Sequence, residues 1–178
     1  EAVAAIAAEA YGYFTALTEE RRKNPKDDLA TLLSNGTING EKLGDVETFG
    51  YYAITATAGH DTTSNSTSAG MIALCEKPDL LAKLQADPAL IPGLVEESIR
   101  WESPVKHFMR SATRDTKVGG QAIQQGDWMM SNFASANRDE DVYDNPFEFD
   151  ITRKPKRHMA LGYGPHVCLG QHLARLEM

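Results

Sequence analysis

Gly162-Tyr163-Gly164-Pro165-His166-Val167-Cys168-Leu169-Gly170 sets one cysteine behind a loop that glycines keep open and ahead of a helical run, Leu169 to Leu176. A cysteine at a helix start meets backbone N–H groups that lack intrahelical partners, and the positive end of the helix dipole. Both favour an anion, and the thiolate is the form of cysteine that acts as nucleophile and metal ligand. Gly162 and Gly164 remove side-chain bulk where a flat ligand would approach the backbone. The residues ask for a thiolate facing something large and planar. The plain alternative is a buried structural cysteine at a helix start.

Working outward, the chain has 178 residues, a formal net charge of −7 and 42% hydrophobic residues. That is enough apolar content for one domain-sized core, and too acidic to suggest a nucleic-acid partner. The other cysteine, Cys75, falls on an apolar helical stretch and is expected to pack as a small hydrophobe. Two cysteines in such different settings argue against a disulfide framework and suit a reducing cytoplasm. No apolar run has the length of a membrane span and no signal peptide is visible, so no membrane association is expected. Glu1 and Met178 both fall inside helical patterns, and the chain reads as a piece of a longer protein.

Alanine-rich Glu1 to about Arg22 predicts a helix with Val3, Ile6, Ala10, Tyr13, Phe14 and Leu17 on one face. Asn24-Pro25-Lys26 breaks it, Asp27-Asp28 caps a short helix over 29–33, and Asn39-Gly40 is a turn signal. From about Asp45 to Glu76 nothing interrupts a helix of roughly 45 Å. Two shorter helices follow, over 78–85 and about 88–101, each with proline near its first turn. Past Ser103-Pro104 the pattern turns to strand at 108–113, 116–118, 121–123 and 128–133, with Gly119-Gly120 and Gly126-Asp127 as turns. One helical turn is expected at 135–139 and a loop over 141–155. The fold class is mainly α with a small β portion (α+β), about 108–133.

Thr57-Ala58-Gly59-His60-Asp61-Thr62-Thr63-Ser64 lies inside the long helix. Gly59 costs a helix about 1 kcal/mol relative to alanine, and helical hydroxyls bond back to the carbonyl four residues earlier. A helix that tolerates both gains something, such as room for a ligand beside Ala58 and Gly59; a solvated polar face is the alternative. Glu97-Ser98-Ile99-Arg100 sets opposite charges on one helix face, which by itself reads as an ordinary surface pair. Arg153, Lys154, Lys156, Arg157 and His158 form a basic run in an acidic chain. A zinc site from His166, Cys168 and His172 lacks the paired spacing of structural zinc.

These stretches resemble the cytochrome P-450 (haem-thiolate monooxygenase) family. Leu161 to Gly170 matches its Phe-Gly-x-Gly-x-x-x-Cys-x-Gly loop, with Leu161 where Phe is usual. Ala58-Gly59-His60-Asp61-Thr62 matches its Ala-Gly-x-Asp/Glu-Thr motif, and Glu97 to Arg100 its Glu-x-x-Arg pair. The resemblance implies the C-terminal part of a haem domain, 1–178, with the oxygen-binding helix at about 45–76 and the haem-thiolate loop at 161–170. It implies haem b as cofactor, Cys168 as axial iron ligand, and Leu161, Gly162, Gly170, Ala58 and Gly59 beside the haem. Asp61 and Thr62 become the acid–alcohol pair that relays protons towards dioxygen. Arg110 and His166 become partners of the haem propionates, while Glu97 and Arg100 brace the scaffold. In many relatives another arginine, just before the later Phe-Asp, completes that brace. Glu148 stands there, so the third partner is absent or supplied from elsewhere, as by Arg153.

Finer features look like soluble bacterial members, especially the terpineol-hydroxylating group: Phe108-Met109-Arg110, Phe149-Asp150-Ile151-Thr152-Arg153 and Cys168-Leu169-Gly170-Gln171-His172. They imply a small hydrophobic substrate, with a monoterpenoid as candidate, hydroxylated with dioxygen and electrons from a ferredoxin in the cytoplasm. Ile54, Thr57 and Val105 are the expected substrate-facing positions, with core packing as their alternative. The basic run is expected to steer an acidic ferredoxin, or else to be a solvated loop. Rival readings are a peroxide-using haem-thiolate hydroxylase and a haem-thiolate sensor or binding protein without turnover. The piece alone is expected to expose apolar surface and to hold haem poorly.

Overall fold

The computed structural model describes residues 2–154 and 157–178, with the side chain of Val3 left out. Glu1 of the expected first helix, the Val3 side chain on its face, Pro155 of the expected loop and Lys156 of the basic run therefore lie outside what is described. Contacts divide the chain into two compact units, one through His60 and one from Asp61 onward.

In the first unit, α1 (Ala2–Lys23) ends on Arg21, Arg22 and Lys23, cations that complement the negative end of its dipole. Arg21 Nε donates to Asp28 at 2.7 Å and Arg22 Nε to the Ser34 carbonyl at 3.1 Å, tying α1 to α2 (Leu29–Ser34). Asp28 caps α2 by accepting from the Thr31 N–H at 2.8 Å, a cap of the usual chemistry. Strands β1 (Thr37–Ile38) and β2 (Glu41–Lys42) turn through Asn39 and Gly40, both at positive φ, 54° and 86°, as a tight hairpin requires. Only part of the expected face of α1 is covered. Phe14 stacks on Tyr52 at 4.9 Å and meets Phe49 edge-on, whereas Ile6 and Tyr13 stay largely exposed. Tyr13 meets the neighbouring Phe14 ring edge-on at 5.3 Å while most of its surface faces outward.

Helix α3 spans Asp45–Glu76, its first half in the first unit and its second in the other. Asp45 and Glu47 suit its N-terminus, and Lys77-Pro78 stops it, Pro78 opening α4 (Pro78–Ala86). Thr48, Thr55, Thr57 and Thr67 donate their hydroxyls to the carbonyl four residues back at 2.7–2.8 Å. That is how so many hydroxyl side chains are accommodated in one helix.

In the second unit, the helix expected over 88–101 divides. Pro88–Leu90 is a 3₁₀ turn and α5 runs Ile91–Glu102. A continuous α-helix would need an N–H on Pro92 for the Pro88 carbonyl; proline has none, and Ile91 donates to that carbonyl instead. Ser103 closes α5 at φ 44°. Strands β3 (His107–Ser111) and β6 (Trp128–Asn132) pair antiparallel, His107 opposite Asn132 and Ser111 opposite Trp128. Between them β4 (Thr116–Val118) and β5 (Gln121–Ile123) form a hairpin over Gly119-Gly120. The helical turn expected at 135–139 comes earlier, as α6 (Phe133–Ala136), because the Asn132 side chain caps it. Two 3₁₀ turns, Met159–Leu161 and Gly164–His166, lead to α7 (Gln171–Glu177). Helices dominate and the sheets are small: a mainly α, α+β chain.

One apolar cluster joins Ala73, Leu84, Phe149 and Ile151, flanked by Leu80, Leu94 and Trp101; a second joins Val95, Ile99 and Ala160, flanked by Leu161 and Met178. Both lean on α5, whose Gly93 lies so close to the Ile151 carbonyl that a Cβ there would meet its oxygen at 2.1 Å. Cys75 is exposed rather than packed, on the side of α3 away from the first cluster's Ala73 and Leu74. Trp128, Tyr163, Leu169 and Leu176 also stand exposed, each at 78% or more.

Candidate functional site

Glu97 and Arg100, one turn apart on α5, are 3% and 2% exposed. Arg100 Nε and Nη2 grip the two carboxylate oxygens of Glu97 at 2.7 Å each, the bidentate fork that makes an arginine–carboxylate pair strong. Nη1 donates to the carbonyls of Asn137 and Pro146 at 2.7 and 3.0 Å, and Nη2 to that of Glu148 at 3.3 Å. The third partner is Arg153. Its Nε lies 3.2 and 3.3 Å from the Glu97 oxygens, and its Nη groups donate to the carbonyls of Asp144, Asn145 and Glu148. The Asp150 N–H adds a bond to Glu97 at 2.9 Å. So Glu148 contributes its backbone carbonyl to both arginines, and the cation comes from further along the loop. The Tyr143 ring lies 5.5 Å from the Arg100 guanidinium and 5.9 Å from that of Arg153, and burial raises the Tyr143 phenol above its ordinary pKa.

This network reaches the cysteine loop through Asn137. Its Nδ2 donates to Ser103 Oγ at 2.7 Å while its Oδ1 accepts the Met159 N–H at 2.6 Å. From there Gly162 takes φ 71°, with the His166 carbonyl 3.3 Å from where a Cβ would sit. The Cys168 N–H returns to the Leu161 carbonyl at 2.8 Å. Leu161 packs against the Val95–Ile99–Ala160 cluster, so the aliphatic side chain fills a core position here. Cys168 itself is half-buried. It does not head the helix as expected: Gly170 is the N-cap of α7, and the Cys168 carbonyl accepts from Gln171 in the turn before it. The glycine at the cap moves the helix start two residues on, and a seven-residue helix has little dipole to offer the sulfur.

A second carboxylate on α5, absent from the sequence reading, faces this loop. Glu96 meets His158 Nε2 at 3.2 Å and Arg175 Nε at 2.5 Å, with Arg175 Nη2 at 3.2 Å. Burial opposes its charge, but the hydrogen bonds from His158 and Arg175 outweigh it and hold the Glu96 carboxyl at about 2. Nothing local in the sequence marks these three residues as partners; His158 looked like a loop histidine.

The other expected site residues are more open. Arg110, on β3, is exposed, donates to the Met109 carbonyl at 2.9 Å and lies over the Phe108 ring. His166 is exposed in its 3₁₀ turn and Gly170 is exposed at the cap. Asp61 is exposed and Thr62 half-buried in the second unit's part of α3. Ile54, Thr57, Ala58 and Gly59 belong to the first unit, all exposed, with open space where a Gly59 Cβ would stand. Ile54 is therefore not core, and the Thr57 hydroxyl is engaged with the Ala53 carbonyl; Val105 is half-buried. The basic run is not one patch. Arg153 and His158 turn inward to Glu97 and Glu96, leaving Lys154 and Arg157 exposed among the described residues.

A family model for cytochrome P-450 matches residues 89–178. Cytochrome P-450-terp of a Pseudomonas species is 54% identical over 168 residues, covering 94% of this chain and 39% of that protein. Linalool 8-monooxygenase of Pseudomonas putida is 39% identical over 178 residues, covering 100% and 44%. The crystal structure of CYP108D1 from Novosphingobium aromaticivorans superposes with a TM-score of 0.93 at 52% identity, covering 98% of this chain and 43% of the other. The chain belongs to the cytochrome P-450 family. It spans about two fifths of the length of these relatives.

The residues present fit the haem that this family implies. The Cys168 backbone is pinned to Leu161 and the residue is half-buried. Tyr163, Val167 and Leu169 turn 84%, 43% and 97% of their surfaces outward beside it, an apolar rim for a flat ligand. Among the described residues no three His, Cys, Asp or Glu side chains gather to hold a bare metal ion. A single thiolate suits a metal whose other ligands arrive with it. No helix among the described residues is long and apolar enough to cross a membrane.

Proposed function

We propose that the whole protein is a haem-dependent monooxygenase that hydroxylates a small hydrophobic substrate. The observation that carries this is the loop 161–170, where a backbone bond fixes Cys168 and the residue is only partly buried. Haem b, when bound, supplies the dioxygen chemistry, and a thiolate ligand pushes electron density that favours O–O cleavage. Cys168 is the ligand atom. Leu161, Gly162 and Gly170 line its face of the cofactor, and Ala58 and Gly59 leave room for a ligand. Arg110 and His166 hold the propionates, as exposed cationic and donor side chains are suited to do.

Asp61 and Thr62 move protons. A hydroxyl donates and accepts at one oxygen, and a carboxylate next in sequence reloads it from solvent. Ile54, Thr57 and Val105 contact substrate, and the low polarity of Ile54 and Val105 selects an apolar molecule. The resemblance to linalool 8-monooxygenase and cytochrome P-450-terp supports a monoterpenoid. The electron donor is a ferredoxin, met by Lys154 and Arg157, and the protein is cytoplasmic. Thr62→Ala tests the proton role in the full-length protein. Dioxygen uptake should continue while hydroxylated product per dioxygen falls about tenfold, within the range of general acid–base catalysis. Unchanged product yield contradicts the assignment and favours the peroxide-using reading, whereas no hydroxylated product from either protein favours the sensor reading.

A further inference from the structure

Two neighbouring glutamates on α5 serve different parts of the chain. Glu97 is closed in by Arg100 and Arg153. Glu96 instead binds one residue on each side of the cysteine loop: His158, directly before the 3₁₀ turn 159–161, and Arg175, in α7 after it. We propose that Glu96 is a positioning residue for Cys168, a single carboxylate that clamps both ends of the ligand loop to α5. The inference rests on the reading of Cys168 as the haem ligand.

The geometry is specific. Arg175 reaches both carboxylate oxygens of Glu96 with Nε and Nη2, while its Nη1 donates to the carbonyl and the side-chain oxygen of Gln171 at 3.1 Å, the first residue of α7. Pulling on Glu96 therefore pulls on the start of α7, three residues from Cys168. On the other side the His158 side chain is 3% exposed. Its Nε2 faces Glu96 and its Nδ1 is buried with no hydrogen-bond partner among the described residues. A buried polar atom left unpaired is costly, and the bond to Glu96 offsets part of that cost. Within the loop the Leu161–Cys168 backbone bond sets the shape; Glu96 sets where that shape sits on α5.

The test uses full-length holoprotein and a spectroscopic readout. Ferrous–carbonyl spectra of wild type, Glu96→Gln and Arg175→Gln are followed over time, well below their melting transitions. Leu84→Ala, in the other apolar cluster, serves as a variant destabilised away from the loop. Loss of a charged hydrogen bond predicts that the sulfur-bound spectrum decays roughly ten- to a hundredfold faster in Glu96→Gln and Arg175→Gln than in wild type, with Leu84→Ala decaying at the wild-type rate. Arg175 is one-third exposed, so Arg175→Gln decides the matter if Glu96→Gln does not fold. Wild-type decay in the clamp variants, or equally fast decay in Leu84→Ala, overturns the clamp and leaves Cys168 as ligand. A wild-type protein with no sulfur-bound spectrum removes the ligand and the clamp together.

Discussion

Arg100 and Arg110 belong to the same stretch of chain and meet opposite fates. Arg100 is buried and every arm of its guanidinium reaches an acceptor: Glu97 and the carbonyls of Asn137, Pro146 and Glu148. Arg110 stands exposed on β3 with its own neighbour's carbonyl as acceptor. The same contrast separates the Glu97 network from the cysteine loop as a whole. The brace is completed by this chain's own backbone and is shut off from solvent, whereas Arg110, His166 and Asp61 lie exposed. Scaffold and site thus differ in burial: one is closed in on itself, the other lies nearer the surface.

Breaking the brace gives the largest effect. Arg100→Leu leaves Glu97 buried with a weakened set of partners, and chemical denaturation should show a loss of about 3–5 kcal/mol. A loss below about 1 kcal/mol would mean that Arg153 alone satisfies the carboxylate. Acid comes next. The folded Glu96 carboxyl is depressed to about 2 from the ordinary 4.5. Its contribution is fully present above the unfolded value and is lost as pH falls through the folded one. The unfolding free energy should fall across that window by roughly 1–2 kcal/mol once solvent screening of this partly exposed pair is allowed for, and Glu96→Gln should flatten this limb of the stability–pH curve. The smallest effect sharpens the comparison from the other side. Arg110→Gln should change stability by less than about 0.5 kcal/mol, as exposed substitutions do, while speeding transfer of haem to an acceptor protein. Strong destabilisation by Arg110→Gln would erase the distinction between scaffold and site.

Much of the fold was legible because local chemistry decided it. Asn39-Gly40 and Gly119-Gly120 supply the positive φ their hairpins need, and Lys77-Pro78 ends α3 where proline must. The 3₁₀ turn at Pro88 was also readable, through the missing N–H of Pro92, but Pro88 equally suits the first turn of one helix over 88–101. Glu97 and Arg100 were visible as a spaced pair, and Glu148 in the place of the third arginine left that partner absent or supplied from elsewhere, with Arg153 as one candidate. His158, Glu96 and Arg175 were not visible. They lie 62 and 79 residues apart in sequence, and only the path of the loop over α5 joins them. Cys75 shows the reverse failure, since an apolar helix stretch does not say which residues face its core.

The central claim is that Cys168 holds the haem iron through sulfur. The direct measurement is the ferrous–carbonyl spectrum of the full-length protein beside Cys168→His. The account predicts a thiolate-type Soret band in the first and its replacement by the histidine type in the second. A histidine-type band in the unaltered protein would contradict it.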